Sequence, residues 1–233
     1  MTHETAPRYR IRRATVSDRP QLTRLIDTVF KLELSAQLCH LFTDTRIGDH
    51  FVREDWSGLV GAIGLYPHQF RVRDVVFNIA GVGQVATRED MRGRNVMSSI
   101  LNEVCTAADR YDFVWLGGDR LRYGRYGWET GGARQVFEMI AKYLPAPPAE
   151  ETVRRFDTVA DLERIRTWQA RAPQTAVFPD NELDQMVSAF AARCHAGWVL
   201  GESFIITREK GTIVFMGDGR TDELALLLAH ALR

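Results

Sequence analysis

The sequence lacks several features that would fix its class at once. It has only three cysteines, Cys39, Cys105 and Cys194, odd in number and far apart, which argues against a disulfide framework or a zinc site built on close thiol pairs. It has no net charge. Thirty basic side chains are balanced by thirty acidic ones, so no overall positive field draws nucleic acid and only local basic patches stay open. No run approaches the ~18 apolar residues of a membrane span, and the opening "MTHETAPRYRIRR" is polar, without the apolar centre of a signal peptide. A soluble protein of a reducing, cytoplasmic setting is expected, with no metal, no membrane and no nucleic-acid partner; a homo-oligomer is left open.

What is present is a core. The chain has 233 residues, 45% of them hydrophobic, enough for one large domain or two modest ones. "RYRIRRAT" reads as a strand, Ser17 as a helix cap, and Leu22, Leu25, Ile26, Val29 and Phe30 as the apolar stripe of the helix that follows. After further helix and loop over 31–50, the segments "HFVRE", "GLVGAIGLYPHQFRVR" and "VVFNIAGVGQVAT" predict an antiparallel meander. The turn formers Asp55, Ser57, Gly58 and Asp74 separate its strands. A helix over about 92–110, the apolar strand "FVWLGG", the short "RLRYGRYGWETGG" and a strand "RQVFEMI" complete a mixed α/β order.

Three prolines in "LPAPPAEE" mark a linker over 144–151, dividing the chain into 1–145 and 151–233. Beyond it "TVRRFDTVADLERIRTW" resembles "RIRRATVSDRPQLTRL" in kind: paired arginines on a strand, a cap (Thr158, with Asp161 three later) and an amphipathic helix. A second helix with Leu183, Met186, Val187, Phe190 and Cys194 on one face follows a cap at Asn181. A hairpin turning at Lys210-Gly211 and a final helix "TDELALLLAHALR" end the chain. Two readings stay open for this half, a partial copy of the first and an unrelated small α/β cap.

The most informative stretch is "GQVATREDMRGRNVMSSIL", residues 83–101, in which an apolar strand runs through Arg92-Gly93-Arg94-Asn95 into the helical stripe Val96, Ile100, Leu101 and Val104. A helix start offers backbone N–H groups without intrahelical partners together with the positive end of the helix dipole, so phosphate binds there readily. Gly93 permits positive φ and close backbone approach, Asn95 tolerates the same turn, and Arg92 and Arg94 add full charges. The residues therefore describe a pyrophosphate cradle, or an ordinary strand-to-helix turn with solvated arginines.

Together with "VWLGGDRLRYGRYGW", this stretch resembles the GNAT superfamily of N-acetyltransferases over roughly residues 8–145. Its flavour is nearest the enhanced intracellular survival (Eis) branch, without that branch's sterol-carrier-like domain. The resemblance implies a GNAT fold, a mixed and mostly antiparallel sheet with flanking helices, followed by a smaller partial GNAT-like α/β domain. It implies acetyl-CoA as co-substrate, held by Val85, Ala86 and Thr87 on the strand, by Arg92, Gly93, Arg94, Asn95, Val96, Met97 and Ser98 at the pyrophosphate, and by Gly118 and Asp119 after the next strand. It implies Tyr123 as the general acid facing the sulfur. Three positions depart from the family pattern: Asp90 where Gln or Arg is common, Asn95 for the last Gly or Ala, and Trp128 for Phe. Asp90 would repel phosphate if it pointed inward.

Acetyl transfer also needs a carbonyl-oxygen stabiliser and a base. Free N–H groups along "QVAT" suit the first, exposed where Gly81 and Gly83 mark a bulge. For the base, Glu33, Asp44, Glu54, Asp55, His40, His50 and His68 are candidates and none stands out. Glu33, Phe42, Asp55 and Trp56 are expected to wall the pocket of an amine acceptor. Three functions are compatible with the sequence: an acetyl-CoA-dependent N-acetyltransferase acting on a primary amine, a catalytically degenerate GNAT-fold module that binds an acyl-CoA or other ligand, and an interaction protein whose second half supplies a dimer surface.

Overall fold

The computed structural model describes residues 9–132, 140–149, 152–178, 180–191, 196–209, 212–217 and 220–231. The chain divides into two compact units between 130 and 131, with 176–178 returning to the first.

The first unit opens with strand β1 (Arg10–Arg13) and helix α1 (Arg19–Phe30). The cap expected at Ser17 falls instead to Thr15. Its N–H donates to the Asp18 carboxylate at 2.7 Å across a single 3-10 turn, because the chain makes that turn before the α-helix begins. Pro20 sits in the first turn of α1, where its missing N–H costs nothing. Leu22, Leu25 and Ile26 are buried, and Lys31 closes the helix in the left-handed region. A short helix α2 (Leu34–Gln37) leads into the meander, strands β2 (His50–Asp55), β3 (Gly58–Val72) and β4 (Val75–Thr87).

β3 is buried without interruption from Leu59 to Tyr66, so it carries a continuous apolar run rather than an alternation. One face of the sheet packs on α1 through Leu22, Ile26, Val52 and Ala62. The other packs on helix α3 (Val96–Ala108) through Ile63, Leu65, Val96, Ile100, Leu101 and Val104. Strand β5 (Phe113–Leu116) and helix α4 (Arg120–Gly124) follow. The sheet order is β1-β2-β3-β4-β5, antiparallel except for the parallel β4–β5 pair.

That parallel pairing is short. It runs from Ile79↔Phe113 to Val82↔Leu116, whereas β4 stays paired with β3 to Gly61↔Thr87, slipping register by one between Gly64↔Gly83 and Ala62↔Ala86. Gln84 occupies the slip at φ +53°. The bulge expected near Gly81 and Gly83 thus falls one residue later, and among the described residues no strand pairs with the β5-side edge of β4 past Val82.

The second unit holds strand β6 (Arg154–Arg155), helix α5 (Leu162–Arg171), strand β7 (Gln174–Val177), helix α6 (Asp180–Ala191), strands β8 (Ala196–Leu200), β9 (Ser203–Glu209) and β10 (Thr212–Gly217), and helix α7 (Thr221–Ala231). The last two residues of β7 belong to the first unit. The other strands form an antiparallel sheet in the order β10-β9-β8-β6. Ile205, Leu227 and Leu228 are at its core.

The start of this unit repeats the start of the first in its bonding. Arg12 on β1 forks onto the Asp18 carboxylate and donates to the Arg13 carbonyl at 3.1 Å. Arg154 on β6 forks onto Asp161 and donates to the Arg155 carbonyl, also at 3.1 Å. Asp18 accepts from the Thr15 N–H, and Asp161 from the Asp157 N–H. The cap expected at Thr158 falls instead to Asp161, which precedes α5, because the chain first makes a turn in which Asp157 Oδ1 accepts from Val159 and Ala160 N–H at 2.9 and 2.7 Å. Most of the strand expected over 134–140, the Lys210-Gly211 turn, Cys194 and the side chains of Asn181 and Phe190 lie outside the described residues. Among the described residues no helix is long and apolar enough to cross a membrane.

Candidate functional site

The helix expected from 92 begins at Val96, because Arg92–Asn95 form a turn of alternating hand. Arg92 is extended, Gly93 lies at φ +76° and Asn95 at φ +55°. Such alternation aims successive N–H groups into one concavity. A side chain at 93 would meet nothing within 4 Å, so the backbone there is open to a ligand and glycine is required by φ rather than by space. Asn95 makes no side-chain cap bond, and the first helical bond runs from the Ser99 N–H to the Asn95 carbonyl at 3.1 Å. The N–H groups of Val96, Met97 and Ser98 are left without helical acceptors. Arg53, itself buried, holds the turn from beneath by donating to the Asn95 carbonyl at 3.2 Å and to Ser99 Oγ at 2.8 Å.

This turn opens on a cavity of about 560 Å³. Val85 and Thr87 of β4 form one wall, the residues from Met91 to Ser98 other than Arg94 a second, and Val29 and Phe30 at the end of α1 a third. Arg122 and Arg125, on and just after α4, complete the lining. Of the expected strand residues, Ala86 turns its side chain into the core on the α1 face. Arg94 is exposed and outside the lining.

Asp90 does not point inward. It accepts a two-pronged bond from Arg88 at 2.6 and 3.0 Å, which holds its carboxyl below the usual carboxylate range. It too lies outside the lining.

Asp119 caps α4, its Oδ1 accepting from the Leu121 N–H at 2.8 Å, and the Tyr123 ring packs directly on Gly118. Tyr123 is 7% exposed and belongs to the core beneath α3. Burial raises its hydroxyl above the ordinary tyrosine range while the charge of Arg122 pulls it down, so the phenol keeps its proton through neutral pH. One helical turn on, Tyr126 donates its hydroxyl to Ser98 Oγ at 2.6 Å, tying the end of α4 to the first turn of α3. Trp128 is half-buried against the same core.

The four residues expected at an acceptor pocket are not gathered at this cavity. Glu33 is exposed before α2, Phe42 is buried and stacked on His50, Asp55 closes the β2–β3 turn by accepting from Ser57, and Trp56 stands 95% exposed at the tip of that turn. Asp44 is paired with Arg19, and Glu54 with Arg12. His50 is fully buried, and burial lowers its pKa. Among the described residues no group of three or more His, Cys, Asp or Glu could hold a metal ion.

Sequence reasoning missed Arg122, Arg125 and Gln84. The two arginines stand three apart in "RLRYGRYG", a helical spacing that places them on one side. Val29 and Phe30 fit the apolar stripe of α1, and Phe30 also suits a pocket wall by sequence; both stand at the end of α1 beside the cavity.

A model of the GNAT acetyltransferase domain matches residues 10–131. Three solved structures are similar over nearly the whole chain. A probable N-acyltransferase from Enterococcus faecalis has a TM-score of 0.73 at 17% identity, covering 96% of this chain and 62% of its own. A GCN5-related N-acetyltransferase from Anabaena variabilis gives 0.69 at 12%, covering 97% and 62%. Eis1 from Mycobacterium abscessus gives 0.66 at 12%, covering 96% and 62%. At these identities the likeness is one of fold, and the chain spans less than two thirds of the length of each. No curated protein sequence matches it.

Proposed function

Because the chain belongs to the GNAT acetyltransferase family, we propose that it transfers an acetyl group from acetyl-CoA to a primary amine of a small molecule or protein. The observation that carries this reading is the uncapped start of α3. Three N–H groups without helical acceptors, a left-handed Gly93 and three arginines meet in one cavity where β4 has left β5. That donor set suits a pyrophosphate: N–H groups and guanidinium groups donate, and the helix end adds positive potential.

In this proposal Gly93 to Ser98, with Arg92, Arg122 and Arg125, hold the pyrophosphate. The free edge of β4 at Val85 and Thr87, on either side of Ala86, whose backbone pairs with β3, takes the pantetheine as a substitute strand, and Gly118 and Asp119 bound the slot on the β5 side. Free N–H groups on this stretch stabilise the carbonyl oxygen as the amine nitrogen attacks and the carbon–sulfur bond breaks. Tyr123 gives its proton to the departing sulfur, and the amine loses one to solvent or a base. Asp90, neutralised by Arg88, does not oppose the phosphates.

The Eis-like branch is the finer placement we favour, supported by the "YGRYG" segment and by the second α/β unit with its copied Arg–Asp fork. A cytoplasmic setting goes with it, as does a proline-rich linker over 144–151, which lies past the point at 130/131 where the compact units part.

A second reading is favoured by one observation: Tyr123 is 7% exposed and does not line the cavity, as a packing tyrosine in a binding module would be. Calorimetric titration with acetyl-CoA, followed by a screen of amines for thiol release, separates the two. Binding with amine-dependent release supports transfer. Binding without release on any amine supports the module, and no binding removes both.

A further inference from the structure

A buried polar cluster lies just past the end of the β4–β5 pairing and contributes no residue to the cavity lining described above. It joins three neighbouring strands: His50 on β2, Tyr66 on β3 and Gln84 on β4. The Tyr66 hydroxyl donates to Gln84 Oε1 at 2.5 Å and lies 3.0 Å from His50 Nε2. His50 Nε2 is 3.0 Å from Gln84 Oε1, and its Nδ1 is 3.1 Å from the Ile47 carbonyl. All three side chains are at least nine-tenths buried. Phe42 stacks on His50 with ring centres 5.0 Å apart. Room for the Tyr66 ring exists only because residue 64 is glycine, since a Cβ there would fall 2.0 Å from the ring.

Gln84 is an expensive residue in this place. Its φ of +53° is a region that L side chains other than Asn and Asp seldom enter. Its Nε2 is buried with no hydrogen-bond partner, a second cost at the same position. Such costs persist only where the surroundings over-determine the conformation, and they gather at functional sites. Here the surroundings are His50 and Tyr66, and the conformation they fix is the slip in β4. The slip begins one residue beyond Gly83, and β4 loses β5 one residue before it.

We infer that Gln84 is a positioning residue: its amide, clamped by His50 and Tyr66, holds the β4 bulge and so keeps residues 85–87 turned away from β5 and open to the coenzyme. This rests on the acetyl-CoA reading for its consequence, though the clamp can be tested without it. A glycine would adopt the same φ freely but would leave the bulge mobile. The buried amide makes it rigid, and a rigid slot loses less entropy on binding.

Two variants of the full chain test this. Tyr66→Phe keeps the ring over Gly64 and removes only the hydroxyl. Gln84→Asn suits the left-handed backbone better but is too short to reach both partners. In each, hydrogen exchange without ligand should quicken selectively at amides 83–87, and the calorimetric Kd for acetyl-CoA should rise about five- to tenfold. Kd per folded molecule is a readout that a loss of global stability alone does not move. Wild-type exchange at 83–87 in both variants, or faster exchange with an unchanged Kd, overturns the positioning role. A wild-type protein that fails to bind acetyl-CoA overturns the coenzyme reading, while the exchange result still decides the clamp.

Discussion

Tyr123 concentrates the question of catalysis in one hydroxyl. Buried on Gly118 and held above the ordinary tyrosine range, it carries its proton at the pH where a thiolate leaves. Tyr123→Phe keeps the packing and removes the proton, so kcat should fall by roughly 10²-fold or more with acetyl-CoA affinity unchanged. Steady-state thiol release beside calorimetry checks both halves. Asp18 poses a question of stability instead. The Arg12 fork holds its carboxyl well below the usual range. A lowered folded-state pKa adds stability above the unfolded value near ~3.9 and loses it as pH falls toward the folded one. Asp18→Asn should therefore cost about 1.5–3 kcal/mol at neutral pH, and its gap to wild type should narrow as the pH is taken from about 4 toward 2. Urea titrations across that range measure it. The left-handed turn at Gly93 was legible in the sequence because a glycine between two arginines announces it. Gln84 was not, because its φ follows from a register slip between two strands, and nothing local to residue 84 encodes that.

At the scale of elements, the site is a junction between β4, which ends its pairing with β5 early, and α3, which starts without a cap. The meander was readable almost to the residue, since alternating and continuous apolar runs bounded by turn formers specify strands directly. The start of α3 was read four residues early. Arg92 to Asn95 carry no residue that forbids helix, and only the left-handed conformations of Gly93 and Asn95 set them apart. The α4 contribution was read as the place of Tyr123 alone, yet the same short segment supplies Arg122 and Arg125 to the cavity. Each guanidinium should contribute a charge-assisted bond to an anion in the cavity. Arg122→Gln and Arg125→Gln should each raise the acetyl-CoA Kd about tenfold, with the wild-type affinity falling as salt is added. Unchanged affinity in both, measured at low and high salt, would move the phosphates away from α4.

At the scale of the whole molecule, the second unit repeats the opening of the first down to the same fork of arginine on aspartate and the same reach of that aspartate to a backbone N–H. The sequence showed this as paired arginines followed by a cap. It did not show where the cap falls, because Thr158 suits a cap by residue type while an added turn closed by Asp157 moves the helix start to Asp161. The turn of residues 92–98 lies in the first unit, and the proposed coenzyme site stands or falls there. The most direct test is calorimetric titration of acetyl-CoA into the wild-type chain and Gly93→Val. A β-branched residue at φ +76° is strained by about 1–2 kcal/mol and also puts a side chain where the backbone must meet the ligand. The account predicts micromolar-range binding in the wild type that weakens roughly tenfold or more in the variant; equal affinity in the two proteins would contradict it.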